Sequence, residues 1–383
     1  MLTLLKNTVA SQTRCVICKC MCRRQYSSGK GSKLNYPRRI FSGIQPTGDI
    51  HIGNYLGAIK KWVELQYNEK NVIWSVVDMH AITLPQDRKE LHNNIMRMTA
   101  TLLACGIDPK KSILFQQSAV PMHAELYWVL GCITTLARLA HLPQFKEKSQ
   151  TVKFVPLGLY VYPVLQAADI LLYRATHVPC GEDQIQHIEL AQELAVSFNN
   201  KIGKIFCVPH ALINEDASHR IRSLRDPMKK MSKSDQSPKS RINILDEPSI
   251  LKEKVKKAVT DFTSEITYEP NERPGVANLI TIHSMFTGQT SDEICLEMQG
   301  SSTAQYKLLL ADLIIEKLSP IREEFTRLIK EPVYLSEVLK DGKERATEIA
   351  EETWQQVRDK VGFGDGNFQH IENQTVQNTI YKI

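Results

Sequence analysis

The sequence predicts a doubly wound α/β fold, a parallel sheet with helices on both faces, followed by a mainly helical second domain. From Tyr36 onward, short apolar runs bounded by turn residues alternate with stretches of helical periodicity. Strands separated by helices pair in parallel, because each return to the same end of the sheet needs a crossover. Past Asp235 the strand signal stops, and Leu, Ile, Glu, Lys and Arg recur at helical spacing.

The first strand is Arg39-Ile40-Phe41-Ser42-Gly43-Ile44, running into the turn Gln45-Pro46-Thr47-Gly48. A helix follows with Leu56, Ile59, Trp62, Val63 and Leu65 on one face. Asn71 to Val77 is a continuous apolar strand, Ile95, Met98, Leu102 and Leu103 mark the next helix, and Ile113-Leu114-Phe115 is a third strand. In such sheets ligands bind beyond the carboxyl ends of the strands, which points to the loops after Ile44 and Val77. Residues 246–260 and 305–360 read as helices, broken at Ser319-Pro320 and Glu331-Pro332. The expected organisation is a leader over 1–36, an α/β domain over 37–235, a helical domain over 236–361, and a partly disordered tail over 362–383.

The formal net charge of +6 sits at the start of the 383-residue chain. No Asp or Glu precedes Asp49, while Lys and Arg recur from Lys6 to Arg39, which leaves the body slightly acidic. Basicity is therefore no argument for nucleic-acid binding. An acid-free leader rich in Arg, Lys, Ser and Thr that opens on an apolar run has the composition of an organelle transit peptide, with cleavage expected between Arg24 and Arg38. The uncharged stretch Phe154–Ala168 carries two prolines and is shorter than the ~20 residues a membrane span needs, so no membrane role is expected. Cys15, Cys18, Cys20 and Cys22 lie in the leader, and Cys105, Cys132, Cys180, Cys207 and Cys295 are scattered. Neither disulfides nor a protein-held metal is expected.

Two constellations carry chemistry. Phe41 to Asn54 joins a strand to a helix through a glycine-punctuated loop, presenting backbone N–H groups at a helix start where anions are favoured. Within it Gly53 permits close approach of a nucleotide, and His51 and Asn54 can donate to phosphate. Some 180 residues later, Lys230-Met231-Ser232-Lys233-Ser234 forms a cationic loop suited to gripping a polyphosphate. Taken singly, a surface turn and a solvated basic loop account for each. A third feature is Asp169, a carboxylate interrupting the apolar run Ala167-Ala168-Asp169-Ile170-Leu171-Leu172, where it is costly without a dedicated partner.

Together the two loops resemble the paired signatures of class I aminoacyl-tRNA synthetases. Five further segments, in order and spacing, are similar to tryptophanyl-tRNA synthetase of the mitochondrial, bacterial type. They are Gly43-Ile-Gln-Pro-Thr-Gly, Asp78-Met-His80-Ala-Ile, Gln144-Phe-Lys146-Glu-Lys148-Ser, Tyr162-Pro-Val-Leu-Gln166-Ala-Ala-Asp169 and Gly181-Glu-Asp183-Gln-Ile-Gln-His-Ile. The resemblance covers residues 39 to about 360 and implies a Rossmann-like catalytic domain and a helical domain for tRNA. It implies that ATP is contacted by Gln45, His51, Ile52, Gly53 and Asn54, with Gly181, Glu182 and Asp183 near the ribose and Ile221 against adenine. Lys230, Met231, Ser232, Lys233 and Ser234 would close over the phosphates, and Lys148 would add a further cation. The implied catalytic groups are His51, Lys148, Lys230 and Lys233. Asp169 would accept the indole N–H of tryptophan, with Phe41, His80 and Gln166 lining the same pocket, Gln166 standing where bacterial members often carry Met.

The implied reaction is two-step. Tryptophan attacks ATP, with Mg²⁺, to give the adenylate and pyrophosphate, and the acyl group then passes to the 2′-hydroxyl of the terminal adenosine of tryptophan tRNA. A homodimer in the mitochondrial matrix is the family expectation for this sequence. Lys252, Lys254, Lys256 and Lys257, and Lys340, Lys343 and Arg345, are candidate tRNA contacts or simply solvated helix faces. A tyrosyl enzyme would want a Tyr/Asp pair for a phenol, and a small adenylyltransferase is shorter and lacks the second loop. A non-catalytic RNA-binding relative would be marked by degraded phosphate loops, and both loops are intact.

Overall fold

The computed structural model describes residues 36–142, 155–213, 221–233 and 235–364. The expected transit segment and nearly all of the expected tail therefore lie outside the described residues.

Five parallel strands form one sheet in the order β3-β2-β1-β4-β5, with β1 at Ile40–Ile44, β2 at Val72–Val76, β3 at Ile113–Gln116, β4 at His177–Cys180 and β5 at His210–Ile213. The β2 residues are buried without alternation, as expected for a strand covered on both faces. β4 and β5 add to the three strands legible in the sequence. Each has only four residues and β4 contains Pro179, so neither shows a strand pattern. The chain runs outward from β1 to β3, then returns to lay β4 on the other side of β1. The order thus reverses between β1 and β4, and the crevice beyond their carboxyl ends is the place for a ligand. The loop after Cys180 joins the loop after Ile44 there.

The connecting helices follow the apolar spacing. α1 is built of Ile52–Asn54, a π-helical turn Tyr55–Ile59 and Lys60–Asn68, and it buries Leu56, Ile59, Trp62 and Leu65. A short helix, α2 (Asp78–Ala81), follows β2, and α3 (Arg88–Ala104) is capped by Asp87, whose carboxylate accepts from Lys89 N and Glu90 N. After β3 come α4 (Met122–Ile133), α5 (Leu136–Ala140) and α6 (Leu157–Leu172), and α7 (Ile185–Lys201) links β4 to β5.

Beyond residue 235 all the longer elements are helices: α8 (Pro248–Lys256), α9 (Pro274–Thr287), α10 (Ser291–Glu297), α11 (Thr303–Leu328) and α12 (Pro332–Val361). The break at Glu331-Pro332 is observed, with Pro332 at the first helical position, where its missing N–H loses nothing. The break expected at Ser319-Pro320 is not. α11 runs straight through Pro320, because its buried stripe of Ile314, Leu318, Ile321, Phe325 and Leu328 continues across it. The guanidinium of Arg322 donates to Ile315 O, 3.0 Å away, one turn before the proline.

α12 does not stay with the other helices. It crosses back over the sheet so closely that a Cβ at Gly342 would lie 1.8 Å from Leu114 O and 2.6 Å from Leu114 C in β3. Arg345 secures the crossing by donating to Pro109 O at 2.7 Å. Backbone meets backbone here and neither can turn aside as a rotamer would. Gly342→Ala is therefore expected to destabilise the protein by about 2–3 kcal/mol, near the top of the range for an overpacked core. Urea unfolding should show the midpoint falling accordingly.

Candidate active site

The two phosphate-loop candidates, far apart in sequence, meet at the switch point. Ile52 N donates to Ile242 O and Ile244 N to Ile50 O, both at 2.9 Å, so the loop after β1 is stitched to the segment following Lys233. The second loop is a narrow ribbon in which Ser223 N bonds Lys229 O and Met231 N bonds Ile221 O. Lys233 reaches across to the first loop and donates from Nζ to Thr47 O at 3.2 Å. Gly48, the next residue, holds φ at +65°, a turn conformation natural for glycine. Lys230 lies 3.9 Å from Asp183, which joins the Gly181–Asp183 loop to the same cluster. Sequence reasoning grouped these three segments, and the structure brings them together.

His51 is buried and caps α1, its Nδ1 accepting from Asn54 N at 3.3 Å. Burial first, then the charges of Lys233, Arg241 and Lys230, push its pKa down to about 3. The ring is thus neutral, and with Nδ1 accepting, Nε2 carries the one N–H it can donate. Gly53 is required by the His51 ring itself, because a Cβ there would stand 2.9 Å from it. Lys233 is pushed down to about 8, chiefly by burial, against the opposing pull of Asp49. Ile221 and Met231 are core residues, each no more than 2% exposed. Ile52 is likewise fully buried, while Gln45, Asn54 and Ser232 are partly accessible. Lys148 and Ser234 lie outside the described residues.

Asp169 on α6 is 2% exposed, and its carboxylate gathers donors from three other parts of the fold. His80 Nε2 on α2 lies 2.7 Å from Oδ2, while Gln117 Nε2 and His123 Nδ1 lie 2.7 and 2.6 Å from Oδ1. Burial alone would raise this carboxyl, but His80 and His123 outweigh it and hold it well below the usual carboxylate range. An ionised carboxylate offers about four acceptor directions. Three are occupied, and the remaining one is on Oδ2.

His80, expected to line the same pocket, sits directly against Asp169. Phe41 lies deeper, 3% exposed and stacked on the Tyr173 ring at 5.4 Å. Gln166 is half-buried and donates to Gln184 Oε1 at 3.3 Å, and Gln184 Oε1 also lies 3.0 Å from His187 Nδ1. Gln117, His123, Tyr173 and Gln184 were missed. Gln117 directly follows the third strand, so the strand-end rule could have found it. Nothing in the local pattern marks His123 or Tyr173, which meet Asp169 only through tertiary packing.

The basic clusters are mostly exposed and several of their members are paired with acidic neighbours, and of the seven residues only Lys254 is buried. Lys254 is buried on Asp246 at 2.6 Å, Lys252 pairs with Asp312, Lys257 with Glu253, and Arg345 with Asp341.

Residues 33–318 match the family model described as tRNA synthetases class I (W and Y). The tryptophan–tRNA ligase of Caldanaerobacter subterraneus subsp. tengcongensis is 47% identical over 85% of this chain and 98% of its own length. The chain belongs to the tryptophanyl-tRNA synthetases of class I. The Bacillus anthracis tryptophan–tRNA ligase is 43% identical, over 84% of this synthetase and 97% of its own length. The Campylobacter jejuni tryptophanyl-tRNA synthetase, solved with ADP and tryptophan, superposes with a TM-score of 0.75 at 34% identity, covering 85% of this synthetase and 99% of that chain. A tyrosyl-tRNA synthetase of Aeropyrum pernix shares the fold alone, with a TM-score of 0.59 at 18% identity.

The buried His51 has a consequence for the acid stability of the synthetase. Unfolded, an imidazole binds its proton near pH 6.5, whereas native His51 resists protonation down to about 3. Between those values the unfolded chain holds more protons, so stability falls as pH falls. At pH 5 the loss from this group is about 2 kcal/mol. His51→Asn should remove most of that acid-linked loss, seen as a smaller shift of the urea midpoint between pH 7 and pH 5 than in the wild type.

Proposed function

We propose that this chain activates L-tryptophan with ATP and transfers it to the 2′-hydroxyl of the terminal adenosine of tryptophan tRNA. The observation that carries the substrate choice is Asp169, ionised, buried and holding one open acceptor direction on Oδ2. An indole N–H fills that direction. A site built around a buried acceptor rejects analogues lacking the donor by ~10⁴–10⁵, because the acceptor is then left unpaired. The phenol of tyrosine presents its donor at a different distance from the backbone of the substrate.

ATP lies in the crevice between the two loops, with its phosphates toward Lys230 and Lys233 and its ribose toward Gly181, Glu182 and Asp183. The family resemblance assigns Lys148 to the same phosphates as a further cation. The tryptophan carboxylate attacks the α-phosphorus and pyrophosphate leaves. Lys230 and Lys233 stabilise the charge that moves onto the leaving group, and His51 Nε2–H donates to a phosphate oxygen. Lys233 is held beside backbone carbonyls with a lowered pKa, so an arriving polyphosphate restores its full charge. Among the described residues no group of three His, Cys, Asp or Glu side chains could hold a metal. Mg²⁺ would enter with the nucleotide as part of the substrate.

Residues 236–361 serve the tRNA, with anticodon recognition by the helices from α8 to α12. The acid-free leader supports delivery to the mitochondrial matrix, where the chain would serve organellar translation. A homodimer through the α/β part is supported by large apolar side chains left in solvent on neighbouring helices. Trp128 on α4, Leu136 on α5 and Leu157 on α6 are 67, 73 and 72% exposed. No helix among the described residues is long and apolar enough to cross a membrane.

ATP–pyrophosphate exchange on protein starting near Lys33 should proceed with tryptophan and with no other standard amino acid. Asp169→Asn should raise KM for tryptophan about 10-fold or more, since hydrogen bonds to charged groups contribute ~1.5–3 kcal/mol. Exchange with tyrosine instead would move the substrate, and no exchange with any amino acid would end the enzyme reading. Trp128→Glu should shift the mass in sedimentation equilibrium from dimer toward monomer. An unchanged mass would place the interface elsewhere.

A further inference from the structure

Asp169 makes tryptophan recognition possible only if its carboxylate is both charged and correctly turned, and the structure shows different devices holding its two Oδ1 donors. Gln117 is oriented by the backbone. Its Oε1 accepts from Met79 N at 3.1 Å, which leaves Nε2 facing Asp169 Oδ1 at 2.7 Å. His123 has no such backbone anchor on its ring. It is fully buried, Nδ1 lies 2.6 Å from Asp169 Oδ1, and Nε2 lies 2.8 Å from the Tyr173 hydroxyl.

An ionised carboxylate only accepts, so Nδ1 must carry a proton. A neutral ring then has a bare Nε2, and the Tyr173 O–H is the donor that satisfies it. Tyr173 is suited to that part, since its hydroxyl is raised well above the usual tyrosine range, by burial first and by the Asp169 charge second. It keeps its proton. The ring of Tyr173 is fixed in turn by Phe41, stacked at 5.4 Å, and by Phe115, edge-on at 5.7 Å. Neither His123 nor Tyr173 lies among the segments that carry the family resemblance.

We propose that His123 and Tyr173 are positioning residues for the amino-acid specificity of the enzyme. Tyr173 donates to His123 Nε2, which locks the imidazole in its Nδ1–H form, and that N–H holds the Asp169 carboxylate with its open Oδ2 direction toward the substrate ring. The proposal rests on the reading that Asp169 accepts the indole N–H. It adds that the acceptor is held in place by a hydroxyl two hydrogen bonds away. Without Tyr173 the ring can carry its proton on Nε2 and turn a bare nitrogen to the carboxylate, which would loosen the acceptor and weaken only those substrates that use it.

The test compares tryptophan with its analogue in which sulfur replaces the ring N–H. The ratio of their kcat/KM values in ATP–pyrophosphate exchange measures recognition of that one group. The full-length enzyme is assayed as wild type, Asp169→Asn, His123→Leu, His123→Asn and Tyr173→Phe, with KM for ATP followed in each. His123→Leu should lower the ratio about tenfold or more, the scale of one hydrogen bond to a charged group, through KM for tryptophan, with KM for ATP unchanged. His123→Asn, whose amide nitrogen overlays Nδ1, should recover most of the ratio. Tyr173→Phe should lower it by several-fold.

A purely structural role would weaken both amino acids in parallel and leave the ratio unmoved. That outcome in His123→Leu, beside a lowered ratio in Asp169→Asn, would overturn this proposal and leave the Asp169 contact standing. An unmoved ratio in Asp169→Asn would overturn both. Should leucine at 123 prevent folding, Tyr173→Phe decides, since it removes one oxygen from a ring that stays packed. A wild-type ratio there would overturn the proposal.

Discussion

A buried negative charge sets the terms for the rest of the structure. Asp169 sits among Ala167, Ala168, Ile170 and Leu171, all 1% exposed or less. An isolated carboxylate in such a place would be neutralised or expelled. It survives because the loop after β2 brings His80, the loop after β3 brings Gln117, and α4 brings His123. His80 comes from the connection between β2 and β3, while Gln117, His123 and Asp169 itself come from the connection between β3 and β4, so both connections must be in place before the charge is tolerated. Register matters as well. A shift of β3 by one residue would exchange Gln116 and Gln117 between faces. The side chain that donates to Asp78 at 2.8 Å would then take the place of the one that donates to Asp169.

The opposite charge problem governs the part of the crevice where the two loops meet. Lys230, Lys233 and Arg241 all bear on His51, and all lower its proton affinity. Lys233 reaches two backbone carbonyls of the first loop, Thr47 O and Gly48 O, at 3.2 and 3.5 Å. Positive charge is therefore held close together, offset in part by Asp183 beside Lys230 and by Asp49 near Lys233, and the remaining repulsion favours any polyanion that enters. Burial and the same crowding keep His51 neutral, so its ring offers an N–H at Nε2 and not another positive charge. On the proposed function, binding and chemistry would draw on one arrangement, since charge moving onto a departing pyrophosphate would move toward ammonium groups already in position.

Much of this was readable from the residues, for identifiable reasons. β1, β2 and β3 were legible because they are unbroken apolar runs flanked by turn residues, and both phosphate loops because small and cationic residues are unusual at that density. β4 and β5 were not, being four residues long with a proline in one of them. Pro320 was read as a break because the rule is local, while the stripe from Ile314 to Leu328 that carries α11 through it is tertiary. The lysines of α8 looked like a basic face, yet Lys254 is buried against Asp246 and Lys252 and Lys257 are paired. Charge counts along a helix do not reveal which charges are buried, as Lys254 is, or which take a partner from another helix, as Lys252 does from Asp312. For the same reason Asp169 stood out and its holders did not. A lone carboxylate in an apolar run is an anomaly of sequence, whereas His123 and Tyr173 are ordinary residues whose meaning is their distance from it.

The return of α12 to the sheet gives that pocket a mechanical footing. Gly342 lets the helix backbone rest on Leu114, and Arg345 ties the same helix to Pro109 ahead of the strand. Two residues beyond Leu114, Gln116 donates to Asp78, and the residue after it donates to Asp169. The strand that α12 presses on is therefore the strand whose end carries a donor for the buried carboxylate. Loosening the crossing would let β3 move, and the first polar contacts to feel it would be the amides of Gln116 and Gln117. The C-terminal helix, which the sequence places with the helical half, is in this sense part of the support for Asp169. A single missing Cβ at position 342 is what allows the two to touch.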